Sequence, residues 1–140
     1  MKQTTKLLKI STNGKNLYEI TDIVNDFVKQ SSIFNGLLNI SILHTSASLI
    51  IQENADNSVR QDILKFFEEL CPENLNYKHR SEGNDDMPAH LRSLLTQSNL
   101  TFSVINNKIV LGKWQGIFIF EHRENCKHRE VQLHILGEKE

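Results

Sequence analysis

Apolar and polar residues along the chain follow two different periods, and each period predicts its own kind of element. The segment Thr4 to Ile10 mixes threonine with aliphatic residues and leads into Asn13-Gly14. This pair tolerates positive φ and is typical of hairpin turns. We therefore predict a strand, a turn and a second strand in this region.

Alternation with a period of two marks a longer β region in the segment GLLNISILHTSASLIIQENA. One side of this segment carries Leu38, Ile40, Ile42 and His44, so His44 is expected to point the same way as its aliphatic neighbours. A further β-rich piece covers Leu49 to Ile51. The later segments that read as strands are TFSVI, KIVLG after a turn at Asn106-Asn107, GIFIFEHR and EVQLHIL.

Helical spacing of apolar residues predicts two helices in the first half of the chain. The stretch ITDIVNDFVKQ has this spacing, with Thr21 or Asp22 placed to cap the first free N–H groups. A longer amphipathic helix is predicted from Asp56 to Leu70, ending before Pro72. Its apolar stripe consists of Val59, Ile63, Phe66, Phe67 and Leu70.

A third, short helix is predicted after a polar loop. Pro88 suits the first helical position, and Leu91, Leu94 and Leu95 form a short apolar face. Because β-rich ends enclose the helices and no linker interrupts the chain, we predict one α+β domain over residues 1–140, with two to three helices.

Composition narrows the function classes. The 140 residues contain 16 Lys and Arg against 17 Asp and Glu, a net charge of −1, so no global field would draw the protein onto nucleic acid or an anionic membrane. No apolar run approaches the ~20 residues that span a bilayer, and we find no signal peptide. Cys71 and Cys126 lie far apart and form no CxxC pair, which favours a cytoplasmic protein without a disulfide framework.

Three histidines form the sharpest candidate site. Neutral imidazoles bind divalent metals such as zinc, and three of them leave a coordination position open, so His44, His79 and His90 are candidate metal ligands and catalytic residues. The alternative is that each histidine simply makes a local hydrogen bond. No compact HxxxH spacing decides between these interpretations.

Two carboxylates, Asp85 and Asp86, stand beside these histidines. At a helix start they would cap backbone N–H groups, which is the default interpretation. They also suit acid–base catalysis, or the orientation of an imidazole that binds metal. The turn at Gly83-Asn84 would let the loop bring His79, His90 and either Asp85 or Asp86 to one place.

Further candidates for substrate binding lie outside this loop. In HTSAS, Thr45 and Ser46 have hydroxyls that would hold phosphate or carboxylate oxygens, although the same composition is ordinary for a strand edge. Glu121, on an aliphatic strand face, needs a partner, and Arg129 is the obvious one. The pair is either purely structural or leaves Arg129 to bind an anionic substrate.

Three separated blocks stand out along the chain, HTSASLIIQENAD, YKHRSEGNDDMPAH and LGKWQGIFIFEHR, followed by HREVQLHILGE near the end of the sequence. In their residues and their order these blocks resemble the YjbQ family, also labelled secondary thiamine-phosphate synthase. The turn reads GNDD where many members have proline after the glycine, and either residue builds a turn.

This resemblance implies a β-sandwich-like fold, a homotrimer and a weak thiamine-phosphate synthase activity. That reaction joins a hydroxymethylpyrimidine diphosphate to a thiazole phosphate with loss of pyrophosphate. The motif positions that the resemblance carries over are His44, His79, His90, Asp85, Asp86, Trp114, Gln115, Glu121 and Arg129.

Two classes of function follow. The first is a metal-assisted enzyme on a small phosphorylated molecule, either a thiamine-phosphate synthase-like transferase or a hydrolase that uses the same metal. The second is a non-catalytic trimer that binds a metal or a small anion. Retention of a cellular activity in His90→Ala would favour the second class.

Overall fold

The computed structural model describes residues 1–140, the side chain of Cys126 excepted. In the described chain, eight strands and three helices confirm the predicted α+β class. Their bounds are β1 Lys2–Asn13, β2 Asn16–Glu19, α1 Thr21–Ser31, β3 Ile33–Ile42, β4 Ala47–Glu53, α2 Asn57–Leu70, α3 Asp86–Leu95, β5 Asn99–Ile105, β6 Lys108–Ile109, β7 Gln115–Glu121 and β8 Cys126–Lys139. The absence of a disulfide was predicted for a pair that includes Cys126, so that prediction lies outside the described side chains.

The strands form two antiparallel sheets. The larger has the order β1-β8-β3-β5-β6 and the smaller has the order β2-β7-β4. The predicted turn is present, with Gly14 at φ +91°, but the expected hairpin is wrong. β1 pairs along its whole length with β8, and β2 pairs with β7, so the turn carries the chain from one sheet to the other. The long register with β8 gives β1 more backbone hydrogen bonds than a four-residue partner would.

The main core lies between the two sheets and α1. The predicted inward residues of β3, Leu38, Ile40 and Ile42, are all buried. They pack with buried residues of β5, β7, β8 and α1 in one contiguous cluster. The alternating pattern therefore predicts this face of the larger sheet correctly.

Helix α2 covers the outer face of the smaller sheet. Phe118 and Phe120 of β7 point toward α2, and the ring centroids of Phe67 and Phe120 lie 5.2 Å apart at nearly a right angle. The predicted helix is confirmed, but its apolar stripe is not fully covered by the described chain. Phe66 remains 57% exposed and Leu70 51% exposed.

Helix α3 turns a different face inward from the one its leucines predict. It begins at Asp86, so Pro88 occupies the third helical position rather than the first. Its buried residues are Asp86, Pro88, Ala89 and Arg92, whereas Leu94 is 78% exposed. The expected apolar face is therefore wrong, because polar partners beneath the helix hold Asp86 and Arg92 inward.

The opposite face of the larger sheet is left partly exposed. On β8, Val131, Leu133 and Ile135 are buried, while the intervening Gln132 and His134 are half-buried. Separately, none of the three helices that the structure describes is long and apolar enough to cross a membrane.

Candidate metal-binding site

Helix α3 and the loop before it bring two of the three candidate histidines to one carboxylate. Asp86 and His90 are four residues apart, so both lie on one face of the helix. The Nε2 atom of His90 is 3.1 Å from Asp86 Oδ2, and the Nε2 atom of His79 is 2.6 Å from the same oxygen. The ring centroids of the two histidines are 5.4 Å apart.

The second ring nitrogen of His90 fixes its tautomer. Its Nδ1 lies 2.9 Å from the backbone carbonyl oxygen of Thr45, which can only accept a hydrogen bond. Nδ1 therefore carries a proton, and in neutral His90 the lone pair of Nε2 faces the Asp86 carboxylate. Metal-binding histidines have this arrangement, in which the distal N–H donates to a carbonyl or carboxylate.

Arg123 neutralises the two aspartates from the other side. Its Nη1 is 2.5 Å from Asp86 Oδ1 and its Nε is 3.0 Å from Asp85 Oδ2, while Nη2 donates to the carbonyl oxygen of Glu82. The Asp85 carboxylate also accepts from the backbone N–H of Glu124. Neither aspartate side chain caps α3, so the default capping interpretation is wrong: the N-cap Asp85 makes no side-chain cap bond, and the nearby guanidinium binds both carboxylates instead.

Both aspartates are held ionised. Burial opposes ionisation of Asp86, but its hydrogen bonds to His79 and Glu82 and the charge of Arg123 outweigh burial, so its pKa is lowered. For Asp85 burial again opposes ionisation, and the bonds from Glu124 and Arg123 lower the pKa. Both groups are therefore carboxylates near neutral pH.

Glu82 completes a group of donors that suits a divalent cation. One ligand atom from each of His79, Glu82, Asp86 and His90 lies within 4.8 Å of all the others. Asp86 is nearly fully buried, whereas the side chain of Glu82 is 65% exposed. Two imidazoles with one or two carboxylates are ligands of zinc and of other first-row metals.

His44 lies apart from this cluster. The backbone N–H of Glu130 donates to His44 Nε2 at 2.8 Å, so this nitrogen is occupied. Burial and the charge of Arg129 lower the pKa of His44. His44 nevertheless lines the same pocket as His90, of about 260 Å³. The structure thus places the third candidate histidine beside the cluster and not within it.

The predicted pair of Glu121 and Arg129 is confirmed. Glu121 is fully buried, and its two carboxylate oxygens accept bonds from Arg129 Nε at 2.7 Å and Nη2 at 2.5 Å. Thr12 donates to the same carboxylate. Arg129 Nη2 also donates to the carbonyl and hydroxyl oxygens of Ser46. The pair thereby fixes the loop at Ser46, and the carbonyl of the preceding residue, Thr45, holds His90.

Gln115 lies at the opposite end of β7 from Glu121. The two residues are the first and last of a seven-residue strand, so they are about 20 Å apart at ~3.3 Å per residue. Gln115 Oε1 accepts from the backbone N–H of Gly112. The neighbouring Trp114 is 54% exposed. Within one chain, therefore, the Trp-Gln positions do not reach the histidine cluster.

Sequence reasoning missed Glu82, Arg123 and His122. The i, i+4 spacing of Asp86 and His90 was a usable signal, since it puts both side chains on one helix face. Arg123 had no such signal, because it stands among the charged residues of EHRENCKHRE, a composition typical of a solvated turn. Only the packing of the end of β7 beside α3 brings it to the aspartates. His122 follows the same strand end and is buried against Ser48, with its Nε2 2.9 Å from Ser48 Oγ.

Comparison with known proteins decides the family. Residues 6–138 match the family described as UPF0047 protein YjbQ-like. The chain belongs to the YjbQ family. It is 44% identical to the UPF0047 protein sll1880 of Synechocystis over 98% of this chain and 94% of that protein. It is 38% identical to YjbQ of Escherichia coli O157:H7 over 95% and 97% of the respective chains.

Solved structures of YjbQ-family proteins have the same fold. A YbjQ-like protein of unknown function from Sulfolobus solfataricus superposes with a TM-score of 0.86 at 27% identity, covering 98% of this chain and all of that one. A YjbQ/UPF0047 protein from Clostridium acetobutylicum gives a TM-score of 0.84 at 32% identity, covering 95% of this chain and 99% of that one. The names of these relatives assign no activity.

Proposed function

We propose that this protein is a metal-dependent enzyme that acts on a small phosphorylated molecule, with a divalent metal such as zinc on His79, Asp86 and His90. The observation that carries the proposal is the fixed tautomer of His90. In the neutral ring Nδ1–H donates to the Thr45 carbonyl, so the lone pair of Nε2 faces an oxygen of the Asp86 carboxylate, which has only lone pairs to offer. A divalent cation would bind both of these atoms, and His79 Nε2 would join them by giving up its hydrogen bond to the same carboxylate oxygen.

The donor set favours a catalytic over a purely structural metal. Three protein ligands leave coordination positions open, as in catalytic zinc sites. When bound, the metal would act as a Lewis acid on a substrate oxygen. Glu82 is exposed beside the cluster, where it is placed to accept or return a proton. Arg123 keeps Asp86 ionised, and an ionised carboxylate is the better metal ligand.

Within this class, the transfer reaction implied by the YjbQ resemblance is the first candidate. Joining a pyrimidine diphosphate to a thiazole phosphate releases pyrophosphate, and a cationic site would stabilise the departing charge. Hydrolysis of a small phosphorylated substrate would use the same ligands, with water as the acceptor. Both reactions predict phosphate or pyrophosphate release that depends on added metal.

The test is elemental analysis of tag-free protein purified without chelator. We expect near-stoichiometric transition metal in the wild type and at least about tenfold less bound metal in Asp86→Asn and His90→Ala. His128→Ala is the matched control, because His128 is exposed on β8 and, among the side chains that the structure describes, its ring bonds only to the Ser11 hydroxyl. Circular dichroism of each variant establishes that the fold is retained.

Two outcomes would contradict the proposal. Metal retained at the wild-type level in His90→Ala would show that His90 is not a metal ligand and that the assigned site is wrong. Stoichiometric metal with no metal-dependent release of phosphate or pyrophosphate, from a panel of small phosphate and diphosphate esters, would favour the non-catalytic alternative of a metal- or anion-binding protein.

We also propose that the protein assembles as a homotrimer through the exposed face of the larger sheet. Leu7 and Leu37 are 39% and 48% exposed on this face, and Gln132 and His134 are half-buried beside them. Leucines among neutral polar groups, with few charges, match the composition of interfaces between copies. The trimeric number itself comes from the resemblance to the YjbQ family.

A further inference from the structure

The pocket beside the metal cluster contains no charged side chain among its lining residues. It has a volume of about 260 Å³. Its lining consists of His44, Thr45, His90, Ser93, Leu94 and Ser98. Such a lining offers a phosphate or carboxylate no ion pair, whereas its hydroxyl and imidazole groups can form hydrogen bonds with a neutral polar group.

His44 faces this pocket as a neutral hydrogen-bond donor. Because the N–H of Glu130 donates to Nε2, that nitrogen carries a lone pair and the proton resides on Nδ1. An imidazolium has no lone pair to accept this bond, so the geometry selects the neutral ring. The lowered pKa of His44, caused by burial and then by the charge of Arg129, agrees with this assignment.

Ser93 supplies a second polar group that lacks a partner. Its Oγ is buried and makes no hydrogen bond with any residue that the structure describes. Buried hydroxyls are normally paired, and an unpaired one costs about 1–3 kcal/mol. Because Ser93 lines the pocket, a rotation of its side chain would let the hydroxyl donate to a bound group and so remove this cost.

His90 joins the pocket to the metal cluster. One of its ring nitrogens is held by Thr45 and the other faces Asp86, so the imidazole separates the neutral pocket from the charged side. A substrate with an anionic end at the metal would therefore place its remaining part against His44, Ser93 and Leu94.

We propose that this pocket binds an uncharged, hydrogen-bond-accepting group of the substrate, and that His44 donates to that group from Nδ1–H. The position of the substrate's anionic part rests on the proposed function; the chemistry of the pocket does not. His44 then determines specificity rather than acting as a metal ligand or general base.

The experiment uses nuclear magnetic resonance of ¹⁵N-labelled protein, with and without zinc. Long-range ¹H–¹⁵N correlations report the tautomer of His44, and the probe is N,N-dimethylacetamide, a neutral carbonyl acceptor without a donor. We expect the Nδ1–H tautomer, and saturable shifts of His44 and of the Thr45 and Ser98 amides. Inorganic phosphate should not reproduce these shifts.

Leu94→Trp and Leu95→Trp form a matched pair of variants. Both leucines are exposed on α3, but only Leu94 lines the pocket. We expect Leu94→Trp to weaken binding of the amide by about tenfold or more, a change of about 1.4 kcal/mol, and Leu95→Trp to leave it unchanged. Both side chains lie on the surface of α3 and contribute nothing to the buried core, so both variants should fold.

Three results would overturn the proposal: an Nε2–H tautomer of His44, shifts produced by phosphate instead of the amide, or equal binding by the two tryptophan variants. Failure of the proposed metal-dependent function would give a different result from failure of the pocket assignment. Amide binding that persists in a protein unable to bind zinc would leave the pocket assignment intact and remove only the metal.

Discussion

His122 is a buried histidine whose two ring nitrogens have unequal environments. The side chain is 1% exposed, and Nε2 bonds to Ser48 Oγ, which in turn lies 2.6 Å from Thr96 Oγ1. Nδ1 is buried without a partner among the described residues. Burial, together with the charges of Arg92, Arg129 and Lys15, lowers the pKa of His122 from 6.5 to about 3.

This pKa predicts a stability that falls on acidification. The unfolded chain takes up a proton on His122 near pH 6.5 and the folded chain does not until about pH 3, so acid favours unfolding throughout that window. We expect His122 to contribute a loss of up to about 1.4 kcal/mol in the free energy of unfolding per pH unit below 6.5.

Urea denaturation of the wild type and His122→Asn between pH 7 and pH 4.5 measures this contribution. The lowered pKa of His44 also reduces stability in acid, but it does so in both proteins. The contribution of His122 is therefore the difference between the two slopes of unfolding free energy against pH. The lowered pKa values of Asp85 and Asp86 affect stability mainly below their ordinary value of 3.8, outside the range tested. Parallel curves for the two proteins would show that His122 is not kept neutral.

At this scale the sequence identifies the types of chemical group better than their partners. His44, His79 and His90 were expected to meet with either Asp85 or Asp86; His79 and His90 meet at Asp86, whereas His44 stays outside the cluster. The sequence did not reveal that a backbone N–H occupies His44, because that bond depends on how β8 passes the end of β3. It also gave no partner for Arg123, which meets Asp85 only when β7 and α3 are packed together.

Helices α2 and α3 show what periodicity predicts and what it leaves open. The apolar stripe correctly predicted helix α2, and the spacing of the leucines correctly predicted helix α3. Periodicity cannot say which face turns inward when buried polar groups compete with apolar ones. On α3, Arg92 is buried with its Nη2 on the Cys71 carbonyl, and Leu94 is left outside.

The neighbouring strands β3 and β8 meet at a pair of glycines that leave no room for a side chain. Gly36 and Gly137 are directly opposite in the register, next to an irregularity between Ile33 and Asn35. A Cβ on Gly137 would collide with the carbonyl oxygen of Asn35 and lie 2.6 Å from Cα of Gly36. Only backbone movement would relieve these contacts.

We therefore expect Gly137→Ala to lower the free energy of unfolding by about 1–3 kcal/mol. Gly112→Ala is the control, since its Cβ would meet only the flexible side chain of Gln115, at 3.2 Å or more. Urea denaturation at neutral pH measures both variants. Equal free energies of unfolding for the two variants would mean that the contact between Gly36 and Gly137 is looser than these distances indicate.

The proposed trimer makes a prediction for the whole molecule. Leu37 lies opposite Leu136 in the register, on the exposed face of the larger sheet, so a charge there would be buried in an interface. We expect Leu37→Glu to shift the sedimentation coefficient from that of a trimer to that of a monomer. Leu75→Glu, in the loop before α3, should remain trimeric. A wild-type protein that sediments as a monomer would contradict the proposed trimer.

For the fold as a whole, local signals predicted most strands and helices but not the pairing of strands. The Asn13-Gly14 turn illustrates the limit, because a turn residue determines the local backbone and not the sheet that each flanking strand joins. Pairing of β1 with β8 depends on residues far away in the chain, and no local window contains both strands.

The position of β8 has a consequence for how the chain folds as it is synthesised. β8 follows every other strand in the chain, yet it lies between β1 and β3 in the larger sheet. While the ribosome is still making the preceding segments, β1 and β3 have edges that only β8 can cover. Exposed edges in nascent chains are sites of wrong pairing, and non-local pairing is slow. We therefore expect chains that still lack β8 to be prone to wrong strand pairing until β8 can pair with both β1 and β3.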